Sequence, residues 1–257
     1  MKNFALVSYF DDLFVEGFKI MLRSFLRYNP WFSSDVIVYD WGISKNNLEE
    51  CCKLYDKITW LKPDKNNYNL SENVINKYYY AKTFQKFELF KLTSYKKVIV
   101  IDADLIIIDN IRKLFYEYNN GFYCDISSND IPDSGLMVID NKFLTKKNYL
   151  NYLNEVLIEY KINGNNKQAD SVNDENVINR MFGDIIQPIE DDYCFYNVTY
   201  YPHCKILATP EYKPWSKNET FLKFKNSVIS WDTEEEIRHC MKLKKILKEL
   251  NLEGDDE

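Results

Sequence analysis

Two aspartates, Asp102 and Asp104, stand at the end of a continuous apolar segment that follows Lys97. A segment this long and this rich in β-branched residues predicts a strand buried on both faces, as in the middle of a parallel sheet. Carboxylates at the carboxyl end of such a strand lie where open α/β sheets bind their ligands. Together they can present oxygens to one hard divalent cation, which can in turn bind a diphosphate. The alternative is a turn in which the acids only cap backbone amides.

The segments around these aspartates predict alternating strands and helices. Strands are expected at residues 4–9, 35–40 and 57–60 and in the segment before Asp102. Helices are expected from Phe14 to the residue before Asn29, over 45–55, and, as a long amphipathic helix, over 74–92. This alternation is the βαβ pattern of a parallel sheet with right-handed crossovers.

The second half of the chain predicts a more mixed arrangement. Strands are expected at 121–124 and 135–140, a polar turn at 127–134, helices at 146–160 and 174–182, and a last helix at 233–257 that opens with a capping box. We therefore expect one α/β domain over 1–257, with a nucleotide-binding half at 1–104 and an acceptor and sugar half at 105–232. Its central sheet should be mostly parallel and flanked by helices.

The composition favours a folded protein with an acidic surface. The 257 residues are 46% hydrophobic and 16% aromatic, with a net charge of −6. These values exclude a disordered chain and argue against nucleic acid as a partner. No apolar span long enough for a membrane and no signal peptide is evident, and six cysteines without a C-x-x-C pattern argue against structural zinc. We expect a cytoplasmic protein with reduced thiols and no membrane contact.

Four segments, in the expected order, resemble glycosyltransferase family 8 and its glycogenin-like members. They are residues 5–17, residues 80–115 around the two aspartates, Pro132–Ile139, and residues 174–179 with Lys213-Pro-Trp215 downstream. The order of these segments is more specific than any one motif. The resemblance implies a GT-A (Rossmann-like) domain that retains the anomeric configuration, with a UDP-sugar as donor and Mn²⁺ or Mg²⁺ as cofactor.

The resemblance also implies which residues bind the donor: Ser8, Asp11, Phe14, Lys82, Asp102, Ala103, Asp133, Ser134, Glu175 and Lys213. Lys82 and Lys213 would offset the charge of the diphosphate, and Lys82 would otherwise be an exposed helix lysine. Asp133 and Ser134 would bind sugar hydroxyls, unless they are only turn residues. Glu175 stands where the family usually has glutamine. The glutamate adds a negative charge that could alter donor choice.

Asp174 is the candidate catalytic acid, with Lys82 as a second catalytic residue. By analogy with retaining glycosidases, Asp174 would act as nucleophile or would stabilise an oxocarbenium ion, whereas attack by the acceptor from the leaving-group face stays open. The alternative is that Asp174 is a helix N-cap, with Glu175 in the first turn.

The metal site predicted from the resemblance comprises Asp102, Asp104 and, by a shift of strand register, His203. Counted back from Lys213, the family's metal-binding histidine falls at Leu207, which cannot bind a metal. His203 lies four residues earlier, and otherwise it pairs with backbone or solvent.

These observations predict a metal-dependent retaining glycosyltransferase that moves a hexose, glucose or a related sugar, from a UDP-sugar to an acceptor hydroxyl of a protein or glycan. Two alternatives stay open: a non-catalytic nucleotide-sugar-binding or scaffold protein, and a glycogenin-type protein that glucosylates itself. A nucleotidyltransferase is disfavoured because the turn after the first strand has no glycine-rich phosphate loop. A homodimer also stays open.

Overall fold

The computed structural model describes residues 1–64, 79–126, 131–163, 173–190, 194–195, 204–208 and 245–249. The strands are β1 (Lys2–Phe10), β2 (Asp35–Asp40), β3 (Ile58–Leu61), β4 (Tyr95–Ile101), β5 (Leu105–Ile107), β6 (Phe122–Ile126), β7 (Pro132–Asp140), β8 (Ile186–Pro188), β9 (Cys194–Phe195) and β10 (Ile206–Ala208). The α-helices are α1 (Val15–Tyr28), α2 (Lys45–Cys52), α3 (Arg112–Tyr116), α4 (Lys146–Asn163) and α5 (Asp174–Phe182). Further 3-10 helices span Asp12–Phe14, Tyr79–Lys91 and Asn141–Phe143.

The central sheet has seven strands in the order β3-β2-β1-β4-β7-β6-β8. Strand β1 pairs in parallel with β2 and β4, and β2 with β3, whereas β7 is antiparallel to both of its neighbours, β4 and β6. Strand β8 is parallel to β6. All strands except β7 therefore run in one direction, and the predicted mostly parallel α/β sheet is confirmed. A small second sheet has the order β5-β10-β9.

Helices cover both faces of the central sheet, which explains why its middle strands are apolar throughout. On β1, Ala5, Val7 and Tyr9 belong to the core packed under the 3-10 helix Tyr79–Lys91, α4 and α5. Leu6 and Phe10 belong to the opposite core, packed under α1 and α3. We call these two sides the α5 face and the α1 face. Because successive strand residues alternate, neighbours on β1 face different layers of the protein.

The segment before β4 differs from the amphipathic helix expected over 74–92. Its described part, Tyr79–Lys91, is a 3-10 helix, and the residues from Phe84 to Phe90 are all buried. The physical reason is its position, since it packs between the sheet and helices α4 and α5 and has little solvent-facing surface. Charged side chains within it therefore need partners inside the protein.

The last three residues of the polar turn expected at 127–134 belong to a strand instead, whereas residues 127–130 lie outside the described residues. Strand β7 begins at Pro132, so Asp133 and Ser134 are strand residues and not turn residues. A register shift between Cys124 and Asp125 of β6 allows this early start, because it lets Asp125 pair with Asp133. The two polar residues of β7 thus lie beside the carboxyl end of β4.

Only residues 245–249 of the predicted last helix are described, and they are helical. Ile246 and Leu247 are buried in a third apolar cluster with Ile20, Ile106 and Leu207. Within the described part of the chain, every helix is too short or too polar to cross a lipid bilayer.

Candidate active site

The two aspartates lie at the carboxyl end of β4, as the sequence predicts. The N–H of Asp102 donates to the carbonyl of Gly135 on β7 (2.9 Å), and the carbonyl of Asp102 accepts from the N–H of Leu105 (3.2 Å). This turn sends the chain into β5, while Asp102 Oδ2 accepts from Lys86 and Oδ1 has no hydrogen-bond partner among the described residues. The alternative prediction, that the acids merely cap amides, is therefore wrong for Asp102, whose carboxylate binds a lysine instead.

That lysine is Lys86, which joins four elements of the fold. Its Nζ lies 2.7 Å from Asp102 Oδ2, 2.8 Å from Ser134 Oγ and 3.7 Å from Asp174 Oδ2. The Lys86 and Asp174 side chains are each only 5% exposed. The 3-10 helix, the end of β4, strand β7 and the start of α5 thus converge on one ammonium group. A buried charge needs paired opposite charges, and here two carboxylates provide them.

Sequence reasoning placed this role on Lys82 and missed Lys86. The side chain of Lys82 lies outside what the structure describes, so its role stays a prediction. The sequence does indicate that Lys86 is buried, because it stands between Phe84 and Phe87 in a strongly aromatic segment. A lysine flanked by residues that must be buried is buried with them, and it then needs an acidic partner.

Three further carboxylic acids, Asp104, Asp133 and Glu175, interact electrostatically with these groups. We call Lys86 and the acids Asp102, Asp104, Asp133, Asp174 and Glu175 the acidic cluster. Burial raises the pKa of Asp102 to about 7, against the opposing charge of Lys86. Burial likewise raises the pKa of Asp133 to about 6 and, assisted by Asp133 and Asp174, that of Glu175 to about 8. Burial acts to lower the pKa of Lys86, but Asp102 and Asp174 outweigh it and the pKa is raised. The cluster has more acids than bases, so it favours protons or cationic ligands.

The β7 part of the site depends on a glycine. Asp133 Oδ1 accepts from the N–H of Gly135 at 2.6 Å. A Cβ added to Gly135 would lie 2.9 Å from that same oxygen and 3.5 Å from Asp102 Oδ2. Gly135 therefore allows Asp133 and Asp102 to approach each other across the β4–β7 pair.

Asp174 is not the N-cap of α5. The cap is Asn173, whose side chain accepts from the N–H of Asn176 at 2.9 Å. The alternative role predicted for Asp174 is therefore wrong, while Glu175 does lie in the first turn. Asp174 is 3% exposed, and its Oδ2 has no hydrogen-bond partner among the described residues. Its carboxylate is thus available for another purpose than helix capping.

Helix α5 is fixed in place by α4. Glu159 of α4 is fully buried and accepts from Asn176 Nδ2 at 2.9 Å and also from Arg180. Arg180 Nε donates as well to Glu155 at 3.1 Å. These charge-assisted bonds set the orientation of the helix that carries Asp174.

Four of the residues predicted to bind the donor, Ser8, Asp11, Phe14 and Ala103, lie at or just after the ends of β1 and β4. Asp11 caps the 3-10 helix Asp12–Phe14 by accepting from the N–H of Leu13 at 3.1 Å, and Phe14 is half-buried against the α1 face. Ser8 is fully buried, and its hydroxyl has no partner among the described residues. Ala103 is 3% exposed between the two aspartates. Their roles in binding stay predictions.

A complete metal site is absent from the described residues, which contain no suitable group of three or more His, Cys, Asp or Glu side chains. Asp102 Oδ1 is nevertheless buried without a hydrogen-bond partner in that part of the chain, which fits one bond to a hard cation. Leu207 lies fully buried in β10, whereas His203 and Lys213 lie outside the described residues.

The fold closely follows that of solved glycosyltransferases of the GT-A type. An active-site mutant of LgtC superimposes with a TM-score of 0.63 at 16% identity, covering 90% of this chain and 98% of that chain. The bifunctional glycosyltransferase WbbM gives 0.64 at 15% identity, covering 92% and 51%. GlyE from Streptococcus pneumoniae TIGR4 gives 0.59 at 16% identity, covering 98% and 64%. At these identities the likeness establishes the fold.

One curated relative also matches in sequence. A protein of Arabidopsis thaliana described as UDP-glucuronate:xylan alpha-glucuronosyltransferase 3 is 35% identical over 95 residues, which are 35% of this chain and 14% of that protein. The chain thus spans about a seventh of the length of this relative. No protein-family model matches the chain.

Proposed function

We propose that this protein is a glycosyltransferase that moves a sugar from a nucleotide-sugar donor to an acceptor hydroxyl. The observation that carries the proposal is the convergence of Asp102, Lys86 and Asp174 at the carboxyl end of β4. In an open α/β sheet this is the place for a ligand, and in a GT-A fold the donor belongs there. A UDP-hexose is the donor that we expect, and the UDP-sugar in the name of the Arabidopsis relative supports UDP.

Asp174 has the chemistry required at the anomeric carbon. Its carboxylate is buried, its Oδ2 has no hydrogen-bond partner within the described residues, and it is held by a helix whose cap and anchors are other residues. A fixed anion facing the sugar stabilises the positive charge that develops as the bond to the leaving phosphate breaks. Retention of configuration follows if Asp174 either forms a transient bond to that carbon or stabilises an ion pair that the acceptor attacks from the leaving-group face.

Lys86 holds Asp102 and Asp174 close together, because its ammonium lies between both carboxylates. Without its charge, the two carboxylates would repel each other in a buried site. Ser134 accepts from the same ammonium, so strand β7 contributes to fixing it. Asp102 and Asp104 would hold a divalent cation, with the diphosphate and water completing its shell; that ion would neutralise charge on the departing nucleotide.

A second candidate function is nucleotide-sugar binding without turnover. It is favoured by Leu207, a buried strand residue at the position expected for a metal-binding histidine. The two functions differ in whether the bond between the sugar and the diphosphate is broken.

The test is UDP release from a panel of UDP-glucose, UDP-galactose, UDP-xylose and UDP-glucuronate, with Mn²⁺, with Mg²⁺ and with excess chelator. Intact-mass measurement of the same samples detects self-glycosylation. Turnover of one donor that Asp174→Asn abolishes supports the proposal. Tight binding of a donor with no release under any condition would instead establish the binding protein.

A further inference from the structure

Tyr9 is a buried aromatic residue at the end of β1 that no assigned role accounts for. It is 3% exposed and lies on the α5 face of the sheet. Its ring stacks on Tyr39 of β2 (centroids 5.9 Å apart, planes at 20°) and on Trp41 (5.8 Å, 16°). The stack fixes the ring, so the position of its hydroxyl is set by the fold.

The ring of Tyr9 lies beside the acidic cluster, and its hydroxyl lacks a hydrogen-bond partner among the described residues. Its oxygen is buried with no hydrogen-bond partner among the described residues, and Lys86 Nζ lies 5.8 Å from the centre of its ring. Burial raises its pKa well above the ordinary value, and the charges of Asp102 and Asp174 raise it further. The phenol is therefore a neutral O–H group near both carboxylates.

Two buried carboxylate oxygens of the acidic cluster and the indole N–H stacked beside Tyr9 also lack a hydrogen-bond partner in the described part of the chain. Asp102 Oδ1, Asp174 Oδ2 and Trp41 Nε1 each lack a hydrogen-bond partner there. Leaving such groups unpaired costs folding free energy, and native proteins rarely do so except where a ligand completes the set.

The chemistry of this set decides which part of a donor fits. An ionised carboxylate oxygen can only accept, the indole N–H can only donate, and the phenol can do both. A phosphate has no proton to give the carboxylates, and its charge would repel them. A sugar hydroxyl can donate to a carboxylate and at the same time accept from the phenol. Asp174 and the phenol of Tyr9 therefore match a hydroxyl-bearing ring, whereas Asp102 would meet the diphosphate only through the proposed cation.

We propose that Tyr9 contacts the donor sugar, donating its phenolic hydrogen bond to a sugar hydroxyl that itself donates to Asp174. This inference rests on the proposed function and adds to it a sugar contact from β1. Ser8, the neighbouring residue, faces the other layer of the sheet, because side chains alternate along a strand.

The test compares Tyr9→Phe with Tyr39→Phe. Both changes remove one hydroxyl from the same aromatic stack. Besides burial, Glu88 and Tyr149 are the groups that raise the pKa of the Tyr39 hydroxyl, and neither belongs to the acidic cluster. Calorimetry measures the affinity of each protein for UDP and for UDP-glucose, UDP-galactose and UDP-glucuronate, and a thermal melt measures the stability of the free proteins.

We expect Tyr9→Phe to weaken binding of the preferred UDP-sugar by about tenfold while leaving UDP within about twofold. Its melting temperature without ligand should equal or exceed that of the wild type, since a buried unpaired hydroxyl has been removed. Tyr39→Phe should leave both affinities unchanged.

Equal loss of UDP and UDP-sugar affinity in Tyr9→Phe, or no loss of either, would overturn the sugar contact and leave the proposed function standing. A wild-type protein that binds none of the nucleotide sugars would overturn both together. A lower melting temperature with unchanged affinities would mean that Tyr9 is only a core residue.

Discussion

Replacing Lys86 by methionine removes the one ammonium that the structure places within the acidic cluster and keeps the length of the side chain. Asp102 loses a bond of 2.7 Å and Asp174 loses a charge at 3.7 Å, both in a buried setting. Breaking a buried ion pair from one side costs about 3–5 kcal/mol, because the remaining charge is unpaired. We expect that loss in the free energy of unfolding at pH 8, together with loss of donor turnover by at least about a hundredfold.

The pH dependence follows from the pKa of Asp102, which is raised from 3.8 to about 7 in the folded protein. The folded state binds this proton more tightly than the unfolded chain, so stability falls as pH rises from about 4 to about 7. Without Lys86 the pKa rises further, and the loss continues above pH 7. Lys86→Met should therefore be more destabilising at pH 8 than at pH 5.5, by about 1 kcal/mol from Asp102 alone.

Lys97→Met is the matched control. Lys97 is 2% exposed, but its Nζ donates to neutral acceptors, the carbonyl of Phe115 (2.7 Å) and Asn119 Oδ1 (2.9 Å). Burial lowers its pKa to about 8, so Lys97 is protonated at pH 5.5 and about half protonated at pH 8. Its contribution to the free energy of unfolding should therefore change over this range by less than the change of about 1 kcal/mol expected at Lys86, and donor turnover should be retained. Urea unfolding at both pH values measures the two variants side by side. The pairing argument would be refuted if the free energy of unfolding had the same pH dependence in both variants. It would also be refuted if Lys86→Met lost no more of that free energy than Lys97→Met.

Three further changes examine the acids one at a time. Asp174→Asn should lower kcat by about a hundredfold or more while the Kd for UDP stays within about twofold, measured by UDP release and calorimetry; normal turnover would end the catalytic role. Because the pKa of Glu175 is raised to about 8, its ionisation costs stability as pH rises from about 4.5 to 8, so Glu175→Gln should raise the melting temperature at pH 8 and change it little at pH 5. An increase of equal size at both pH values would contradict this assignment. Asp104→Asn should abolish the stimulation of turnover by Mn²⁺ or Mg²⁺ without unfolding the protein; a full response to Mn²⁺ in the variant would remove Asp104 from the metal site.

The strand that delivers Asp102 could be predicted because its apolar run has one interpretation in an α/β protein. The start of β7 could not, since Pro132 and its polar successors have the composition of a turn. Only the register shift in β6, a property of two paired strands, brings Asp133 and Ser134 into the sheet. The sequence of β7 alone does not indicate how it pairs with β6.

The position of Lys86 shows a second limit. Periodicity assigns a helical residue to a face when one face is polar, but every residue from Phe84 to Phe90 is buried. Because this segment has no polar face, the sequence pattern does not indicate whether a given side chain points to the sheet or to α4. Tyr9 is similar, because alternation separates it from Ser8 without saying which layer holds the carboxylates.

Asn173 caps α5, and this affects which substitutions the fold tolerates at the next position, 174. Because the amide of Asn173 secures the start of the helix, the fold places no capping demand on the side chain of residue 174. Under the proposed function, substitution there is constrained by the reaction and by the ion pair with Lys86, and not by a requirement to begin a helix. A related protein that had lost the reaction could carry a different residue at 174 and still keep Asn173. Comparing positions 173 and 174 among related proteins would then show whether activity was lost before the helix start changed.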